Sequence, residues 1–433
     1  MYDLLLKDGY VLTMKEDGEK IKRGDVGVKE NKIAEVGKDL GENADTIIDA
    51  QEKAVLPGLI NAHTHLSMVL FRGIGDDLPL QSWLSEKIWP REEKLKAEHV
   101  RDGAMLGCLE MIKSGTTCFA DLYFFMDQVA KAVKKSGLRA NLAYGIIEQN
   151  DEEKRRKEIE IGKSLVKDYE GAFNGRIRTM LGPHSTYTCS PKCLKETKKI
   201  ANNHGVGIHI HLAENEKEIE TVMDMHGERP IELLDSLNLL GPNVLAAHCT
   251  WANEKEIELL ERNGVKAVHN PVSNMKLGSG TAPLPEMVSN GVTVGLGTDG
   301  AASNNTLDMM KEMKFAALLH KVQKRDPTVI PARKALEMAT INSAKALGWE
   351  EEIGSIEAGK KADIILIDLK KPHLTPVTNI ESHIVYCCNG ADVDTVIVDG
   401  NILMQRRNLI TLDEEKTIKK CESSAKDISR RVK

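Results

Sequence analysis

The sequence lacks the features that would mark a secreted, membrane-bound or nucleic-acid-binding protein. Its eight cysteines include no Cys-x-x-Cys pair and no disulfide framework, so we expect reduced thiols that are mostly buried. No apolar run approaches the length that spans a bilayer, and the first residues show no leader-like pattern. With 59 Lys and Arg against 65 Asp and Glu, the net charge of -6 provides no basic face. We therefore expect a cytoplasmic protein that binds a small molecule rather than nucleic acid or a membrane.

The length and the strand pattern predict one large domain and one small one. The chain has 433 residues, of which 41% are hydrophobic, which is more than one ordinary domain contains. Short strand-like segments occupy 1–56, with hairpins expected at 8–9 and at 30–31. The same pattern returns over 351–433. Because each half is too small to be stable alone, we expect the two to join in one small β-sandwich domain.

The last part of the chain, from residue 412, predicts an amphipathic helix. Apolar residues recur there at three- and four-residue spacing, as on one face of a helix. We expect this helix to pack on the body of the protein, with a contact between subunits of a homo-oligomer as the alternative. The residues that define the face are Ile418, Cys421, Ala425, Ile428 and Val432.

The middle of the chain, 57–350, alternates short apolar segments with longer amphipathic ones, as repeated strand and helix units do. Eight candidate strands with intervening helices fit a (β/α)8 TIM barrel. A doubly wound open sheet is the alternative, but no Gly-x-Gly-x-x-Gly follows the first strand, which argues against its dinucleotide-binding version. The candidate strands are 55–62, 116–121, 139–146, 176–182, 207–211, 243–248, 265–269 and 292–298.

A His-x-His pair follows the first of these strands. Side chains alternate along a strand, so His63 and His65 face the same way and can bind one zinc or iron ion. For such a pair in isolation, two histidines at an exposed strand end are the alternative. The position favours the metal, because barrel enzymes place their chemistry where the strands end.

Further polar residues fall at the ends of the later strands. His184 follows the fourth strand, and His211 ends the fifth. His248 ends the sixth strand and Asp299 follows the eighth. Since the C-terminal mouth of a barrel brings all strand ends together, we expect these side chains to form one site.

Four of these residues form a candidate metal site. A catalytic ion takes three or four protein ligands and leaves a position for water. His209 shares a face with His211 and is an alternative ligand, although it lies deeper and should point into the barrel interior. No lysine lies at the exit of the fourth strand to bridge a second ion, so we expect one divalent metal per subunit, Zn2+ or else Fe2+. The candidate ligands are His63, His65, His211 and Asp299.

Glu214 lies three residues past His211, close enough to the candidate metal site to transfer protons without being a ligand. A metal lowers the pKa of its bound water to about 7. Asp299 can accept that proton, His248 can bond the hydroxide and the oxyanion, and Glu214 can protonate a ring nitrogen of the substrate. This combination suits hydrolytic deamination of a heterocycle. The alternative for Glu214 is a glutamate at a helix start, stabilised by the helix dipole.

These segments resemble the amidohydrolase superfamily, and within it the 5-methylthioadenosine/S-adenosylhomocysteine deaminase family. The resemblance runs nearly end to end and implies the barrel fold, a mononuclear metal site at the four ligands, and the roles given above for Glu214 and His248. It implies deamination of 5'-methylthioadenosine, S-adenosylhomocysteine, 5'-deoxyadenosine or adenosine to the inosine analogue. The segments that carry it are PGLINAHTH (57–65), GPH (182–184), HLAE (211–214), HNP (269–271) and GTDGAASNN (297–305).

The resemblance also implies substrate contacts. Trp83 matches an aromatic residue that lines the purine or thioether side, and Glu92 matches the carboxylate that holds the ribose hydroxyls. His184 matches a residue that faces the nucleoside, and Ser303 matches a neighbour of the catalytic residues. Without the family, Trp83 is interpreted as a buried tryptophan and Glu92 as a glutamate on a helix surface.

One departure from the family pattern concerns the substrate tail. Members that handle a substrate carboxylate carry arginine just before the glycine that ends the third strand, where this chain has Tyr144. A second arginine of that site matches Arg156, with Arg155 beside it. Losing one of two cationic contacts should weaken selection for an amino-acid tail. Nucleosides without the tail should therefore match or exceed S-adenosylhomocysteine as substrates.

Other functions stay open at this stage. A triazine-type hydrolase, which displaces chloride or an alkylamine from a ring, shares the ligands, as do guanine and cytosine deaminases. A dihydroorotase-type hydrolase is disfavoured, because the bridging lysine is missing. A non-catalytic scaffold predicts a broken ligand set, whereas this set is complete. The sequence does not fix the oligomeric state, and a partner subunit could complete the tail site.

Overall fold

The computed structural model describes residues 1–15 and 20–432. Its strands in chain order are β1 (Tyr2–Leu12), β2 (Lys20–Lys29), β3 (Lys32–Gly37), β4 (Ala44–Asp49), β5 (Lys53–Pro57), β6 (Leu59–Thr64), β7 (Thr116–Tyr123), β8 (Arg139–Ile146), β9 (Ile177–Pro183), β10 (Gly207–Leu212), β11 (Val244–His248), β12 (Lys266–His269), β13 (Thr293–Leu296), β14 (Ile364–Asp368), β15 (Val393–Val398), β16 (Asn401–Gln405) and β17 (Asn408–Leu409).

Helices connect the barrel strands and close the chain. They are α1 (Leu80–Ser82), α2 (Trp89–Glu92), α3 (Ala97–Ser114), α4 (Met126–Ser136), α5 (Glu152–Tyr169), α6 (Ala172–Gly175), α7 (Pro191–His204), α8 (Glu216–His226), α9 (Pro230–Ser236), α10 (Glu254–Arg262), α11 (Pro271–Lys276), α12 (Leu284–Ser289), α13 (Ala301–Asn304), α14 (Met309–Lys324), α15 (Ala332–Ala339), α16 (Ile341–Leu347), α17 (Ile380–Ser382) and α18 (Glu414–Arg431). Shorter 3-10 or π-helical turns occupy Leu66–Phe71, Trp83–Ile88, Pro372–Leu374, His383–Cys387 and Gly390–Asp392.

Strands β6 to β13 form a parallel sheet in which each strand pairs with the next along the chain. The two ends of this sheet meet where the N–H of Asp299 donates to the carbonyl of His63 at 3.0 Å. The side chain of Asn61 also bridges them, accepting from the N–H of Thr298 at 3.0 Å and donating to its hydroxyl at 2.7 Å. The predicted (β/α)8 barrel is therefore confirmed. The first and last strands close the barrel next to two of the candidate ligands, His63 and Asp299.

The first predicted strand, 55–62, is wrong as a single element, whereas the other seven lie within two residues of their predicted bounds. Strand β5 pairs with β1 and β14 in the small sheet, and β6 opens the barrel. The chain passes from one to the other at Gly58, where an added Cβ would lie 2.0 Å from the hydroxyl of Thr117. Periodicity does not reveal this break because both halves of the apolar run are buried.

Both chain ends join in the second sheet, whose strand order is β17-β16-β15-β14-β5-β1-β2-β3, with β4 also pairing with β1. The predicted small β domain is thus confirmed, but its strands form one continuous mixed sheet of nine rather than two separately bonded sheets. This sheet has an apolar core of its own, to which Leu4, Val26 and Ile364 contribute. The boundaries 1–56, 57–350 and 351–433 stay predictions.

The expected hairpin at 8–9 is wrong, whereas the one at 30–31 is confirmed by the antiparallel pairing of β2 with β3. Strand β1 runs straight through, with a register irregularity at Gly9 and a positive φ of 61° at Asp8. An added Cβ on Gly9 would lie 2.5 Å from Cγ2 of Val55. The glycine therefore permits a close approach of β5 rather than a chain reversal.

Two contacts tie the outer elements to the barrel. A buried ion pair joins Arg139 at the start of β8 to Asp363 beside β14, with N···O distances of 2.9 and 3.1 Å. The C-terminal helix α18 packs on α3, as predicted, and the carboxylate of Asp427 accepts from His99 at 3.0 Å. Within the described residues, no helix combines the length and the apolar character needed to cross a membrane.

Candidate active site

The polar residues predicted at the strand ends line one pocket at the C-terminal mouth of the barrel. The empty space of this pocket, including the part open to solvent, is about 740 Å³. His63 is completely buried at the barrel end of the pocket. The predicted residues that line the pocket are His65, Trp83, Glu92, His184, His211, Glu214, His248, Asp299 and Ser303.

The four candidate ligands come together. One ligand atom from each of His63, His65, His211 and Asp299 lies within 4.8 Å of the others. Oδ1 of Asp299 lies 3.4 Å from Nε2 of His63 and 3.1 Å from Nε2 of His65. His209 contributes no atom to this cluster, because its Nε2 points to the far nitrogen of His63 at 2.8 Å.

The donor set fits a divalent metal. Nδ1 of His65 donates to the carbonyl of Leu122 at 2.6 Å, and Nδ1 of His211 donates to the carbonyl of His184 at 2.9 Å. In neutral rings these bonds leave the lone pair of each on Nε2, and the two Nε2 atoms face each other at 3.2 Å. Nε2 of His63 is buried and has no hydrogen-bond partner among the described residues. A shared cation satisfies all three nitrogens, and nitrogen ligands with one carboxylate suit zinc or iron.

Asp299 is held by two hydroxyl groups. Its Oδ2 accepts from Ser273 at 2.6 Å and from Ser303 at 2.7 Å, which leaves Oδ1 for the histidines. Burial raises the pKa of Asp299, but the rings of His63 and His65 outweigh burial and hold that pKa well below its usual range. The residue has a positive φ of 60°, a strained conformation that is typical of functional positions.

Glu214 lies beside this cluster on the turn between β10 and α8. The turn is held by Glu218, whose carboxylate accepts from the N–H of Ala213 at 3.1 Å and of Glu214 at 2.8 Å. Burial raises the pKa of Glu214, and the charge of Asp299 raises it further. A carboxyl group with a raised pKa can carry a proton closer to neutral pH than an exposed one.

His248 is fixed through its outer nitrogen. Its Nδ1 donates to Oδ1 of Asn274 at 2.9 Å, and the amide of Asn274 in turn donates to Thr250 at 2.9 Å. This pair of bonds assigns both the orientation of the Asn274 amide and the proton on Nδ1 of His248. Nε2 of His248 is thereby left for a ligand in the pocket.

The residues expected to hold the nucleoside line the same pocket. Oε1 of Glu92 accepts from the hydroxyl of Tyr123 at 2.7 Å. Burial raises the pKa of Glu92, and the bond from Tyr123 lowers it. Trp83 is 5% exposed, with its indole N–H donating to the carbonyl of Ile74 at 3.3 Å. Burial lowers the pKa of His184 to about 3, so this ring is neutral.

The structure does not bring Arg156 to the pocket. Its side chain is 74% exposed on α5 and pairs with Glu152 at 2.9 Å. Arg155 is buried but bonds to Glu196 at 3.1 Å. Tyr144, at the position where the family pattern has arginine, donates its hydroxyl to Glu158 at 2.9 Å. Neighbouring residues of a helix point in different directions. Matching Arg156 to the family pattern by its position in the sequence therefore did not predict that its side chain points to solvent.

Four residues that hold the site were not singled out from the sequence: Tyr123, Glu218, Ser273 and Asn274. Tyr123, Ser273 and Asn274 act on partners that are distant in the sequence, so no local pattern marks them. Glu218 binds the amides of residues only four and five positions before it. The one signal was position. Tyr123 ends the second barrel strand, and Ser273 and Asn274 lie two and three residues after the HNP segment.

Comparison with known proteins places this site in a family. A family model described as the amidohydrolase family matches residues 54–403. A 5'-deoxyadenosine deaminase of Methanosarcina mazei is 51% identical over 432 residues, covering 100% of both chains. A 5-methylthioadenosine/S-adenosylhomocysteine deaminase of Thermococcus onnurineus is 51% identical over 406 residues, covering 94% of this chain and 95% of its own length. The crystal structure of a Xanthomonas campestris adenosine deaminase with bound zinc has a TM-score of 0.94 and 32% identity, covering 99% of each chain.

The chain belongs to the amidohydrolase family. The family predicted from the sequence is thereby confirmed, as is the narrower resemblance to 5-methylthioadenosine/S-adenosylhomocysteine deaminases. The zinc bound in the Xanthomonas campestris structure is consistent with the three histidines and one carboxylate that form the candidate metal site here.

Proposed function

We propose that this protein is a metal-dependent hydrolytic deaminase that converts adenosine-type nucleosides to their inosine analogues and releases ammonia. The predicted activity is confirmed as a class, because the relatives named above are deaminases of adenosine or of adenosine derivatives. The observation in this chain that carries the proposal is the cluster of three histidines and Asp299, with the half-buried carboxyl group of Glu214 beside it in the pocket. The substrates we infer are 5'-deoxyadenosine, 5'-methylthioadenosine, S-adenosylhomocysteine and adenosine.

His63, His65, His211 and Asp299 would hold one zinc ion per subunit, with Fe2+ as the alternative. The chemistry that the metal would supply when bound is the acidification of the water that attacks the ring. Ser273 and Ser303 keep the Asp299 carboxylate turned toward the histidines, so that one of its oxygens can accept the proton of the attacking water.

His248 and Glu214 act on the attacking oxygen and on the ring. Because Nδ1 of His248 is committed to Asn274, its Nε2 is left to hydrogen-bond the attacking oxygen and hold it at the reacting carbon. Glu214, with its raised pKa, donates a proton to the purine ring nitrogen beside the reacting carbon. Asp299 then passes the proton taken from water to the amine, which leaves as ammonia when its bond to the ring carbon breaks. The new hydroxyl on that carbon returns a proton to Glu214 and becomes the carbonyl oxygen, while the ring nitrogen keeps its proton in the product.

The ribose and the purine would lie against Glu92, Trp83 and His184. A carboxylate that already accepts one bond from Tyr123 has a further oxygen for the two ribose hydroxyls. Trp83 presents an apolar ring whose N–H is already bonded, which suits stacking or a thioether. Ser303 also lines the pocket, beside the Asp299 carboxylate to which its hydroxyl donates, and would lie next to the bound nucleoside.

Neither residue at the predicted tail position offers a free cation to the pocket. The Tyr144 hydroxyl is bonded to the Glu158 carboxylate, and Arg156 is bonded to Glu152 outside it. This supports a preference for nucleosides without an amino-acid tail. We further propose that the protein acts in the cytoplasm and that a homo-oligomer could bring a partner's cation to the tail.

An ammonia-release screen of purines, nucleosides, pyrimidines and chlorotriazines, with metal analysis of the same sample, tests the proposal. We expect turnover of adenosine-type nucleosides alone and one zinc or iron per chain. Comparison of kcat/KM across the four nucleosides tests the tail preference. An advantage of more than about tenfold for S-adenosylhomocysteine, a difference of roughly 1.4 kcal/mol, would contradict it.

A further inference from the structure

We propose that His209 is a positioning residue, which holds the ring of His63 in the orientation and the tautomer that metal binding requires. The inference rests on the metal site of the proposed function. It concerns a residue one step behind the ligands, whose side chain touches neither the pocket nor the reacting atoms.

The strand geometry places His209 against His63. His209 and His211 share one face of β10, and His209 lies two residues deeper in the barrel. Its Nε2 lies 2.8 Å from Nδ1 of His63, with the ring centroids 4.9 Å apart and the planes at 78°. Both side chains are 0% exposed, so water does not compete for this contact.

A bond between two ring nitrogens needs one proton, and the ligand role decides where that proton is. His63 can bind a metal through Nε2 only if its lone pair is there, which puts its proton on Nδ1. Nδ1–H of His63 then donates to the lone pair on Nε2 of His209, and His209 carries its own proton on Nδ1. If His209 instead held its proton on Nε2, His63 would have to accept it on Nδ1, which would leave Nε2 protonated and unable to bind.

His63 differs from the other two histidine ligands in this respect. His65 and His211 donate from Nδ1 to the backbone carbonyls of Leu122 and His184. The outer partner of His63 alone is a side chain, so it can be changed without altering the backbone. Outer partners of metal-binding histidines contribute roughly 10- to 100-fold to metal affinity.

Two variants at this position separate the hydrogen bond from the space the ring fills. His209→Gln keeps an acceptor oxygen near the position of Nε2, whereas His209→Met fills similar volume with no acceptor of comparable strength. His320→Gln is the matched control, because His320 is equally buried and its Nε2 contacts His269 at 3.1 Å, outside the candidate site. Zinc affinity is measured by competition with a chromogenic chelator, together with the thermal stability of each metal-free protein.

We expect His209→Met to bind zinc roughly 10- to 100-fold more weakly, with His209→Gln recovering most of the loss and His320→Gln unchanged. Wild-type affinity in His209→Met, or equal losses in the Met and Gln variants, would overturn the inference. A wild-type protein that fails to bind zinc would refute both this inference and the proposed function, whereas these variant results refute the inference alone.

A measurement on the wild-type protein covers the case in which His209→Met does not fold. In histidine-labelled, zinc-loaded protein, the ring ¹⁵N shifts report which nitrogen is protonated, and the His209→Gln spectrum assigns the His209 signals. We expect a protonated Nδ1 and an unprotonated Nε2 on His209. The opposite assignment would overturn the proposal.

Discussion

Replacing Tyr123 by phenylalanine removes the one hydroxyl that Glu92 is seen to bind, and its effect can be worked out from the structure. The Tyr123 hydroxyl donates to Oε1 of Glu92 at 2.7 Å, and Tyr123 is 5% exposed. A hydrogen bond to a charged group contributes about 1.5–3 kcal/mol. If Glu92 holds the ribose, Tyr123 acts by orienting its carboxylate, and this bond energy is the most that ribose binding can lose. We therefore expect kcat/KM to fall by up to roughly 10- to 150-fold, mainly through KM, because the ribose is held equally in the ground and transition states.

The same substitution should change the pH dependence. The bond from Tyr123 lowers the pKa of Glu92, which burial raises, so removing the bond raises that pKa further. Glu92 would then lose its charge at a higher pH, and the acid-side decline of kcat/KM should move to higher pH.

A double-mutant cycle isolates the contact. Tyr123→Phe and Glu92→Gln are measured singly and together, with 5'-deoxyadenosine as substrate and kcat/KM as the readout. We expect a coupling energy of about 1.5–3 kcal/mol. Tyr144→Phe is the matched control, since it also removes a hydroxyl bound to a carboxylate, that of Glu158. Additive effects, or a lower kcat at unchanged KM, would refute this account of Glu92.

Two further predictions concern the chemistry and the fold. Glu214→Gln should retain the metal, measured as moles per mole of protein, while kcat falls about 10²- to 10⁴-fold, and unchanged turnover would remove Glu214 from proton transfer. Asp363→Asn should lower the free energy of unfolding in urea by about 3–5 kcal/mol, because it leaves the charge of Arg139 buried without its main partner. The exposed pair of Lys131 and Asp127 is the control: Asp127→Asn should cost no more than about 0.5 kcal/mol, and an equal cost at both positions would contradict the structural role of the buried pair.

The metal cluster could be predicted from the sequence because a barrel converts strand ends into neighbours. Once eight strands were identified, His63, His65, His211 and Asp299 had to lie at one mouth, whatever the lengths of the intervening helices. The depth of His209 followed in the same way from the alternation along β10. The barrel topology was therefore sufficient to predict the metal ligands and the deeper position of His209.

The supporting residues could not be predicted in this way. Tyr123 acts on Glu92 from 31 positions away, and Ser273 acts on Asp299 from 26, so the pairs exist only after the loops have folded. The break at Gly58 was hidden because burial on both sides gives one continuous apolar run. Arg156 matched a motif by position, yet the turn of α5 directs it to solvent.

The oxygen source of the product tests the central claim most directly. Zinc-loaded protein is incubated with 5'-deoxyadenosine in H₂¹⁸O, and the nucleoside product and the ammonia are quantified. The account predicts 5'-deoxyinosine that carries one ¹⁸O from water at the former amino carbon, with one ammonia per product. Release of free adenine, ammonia without incorporation of ¹⁸O, or no turnover of any adenosine-type nucleoside would contradict it.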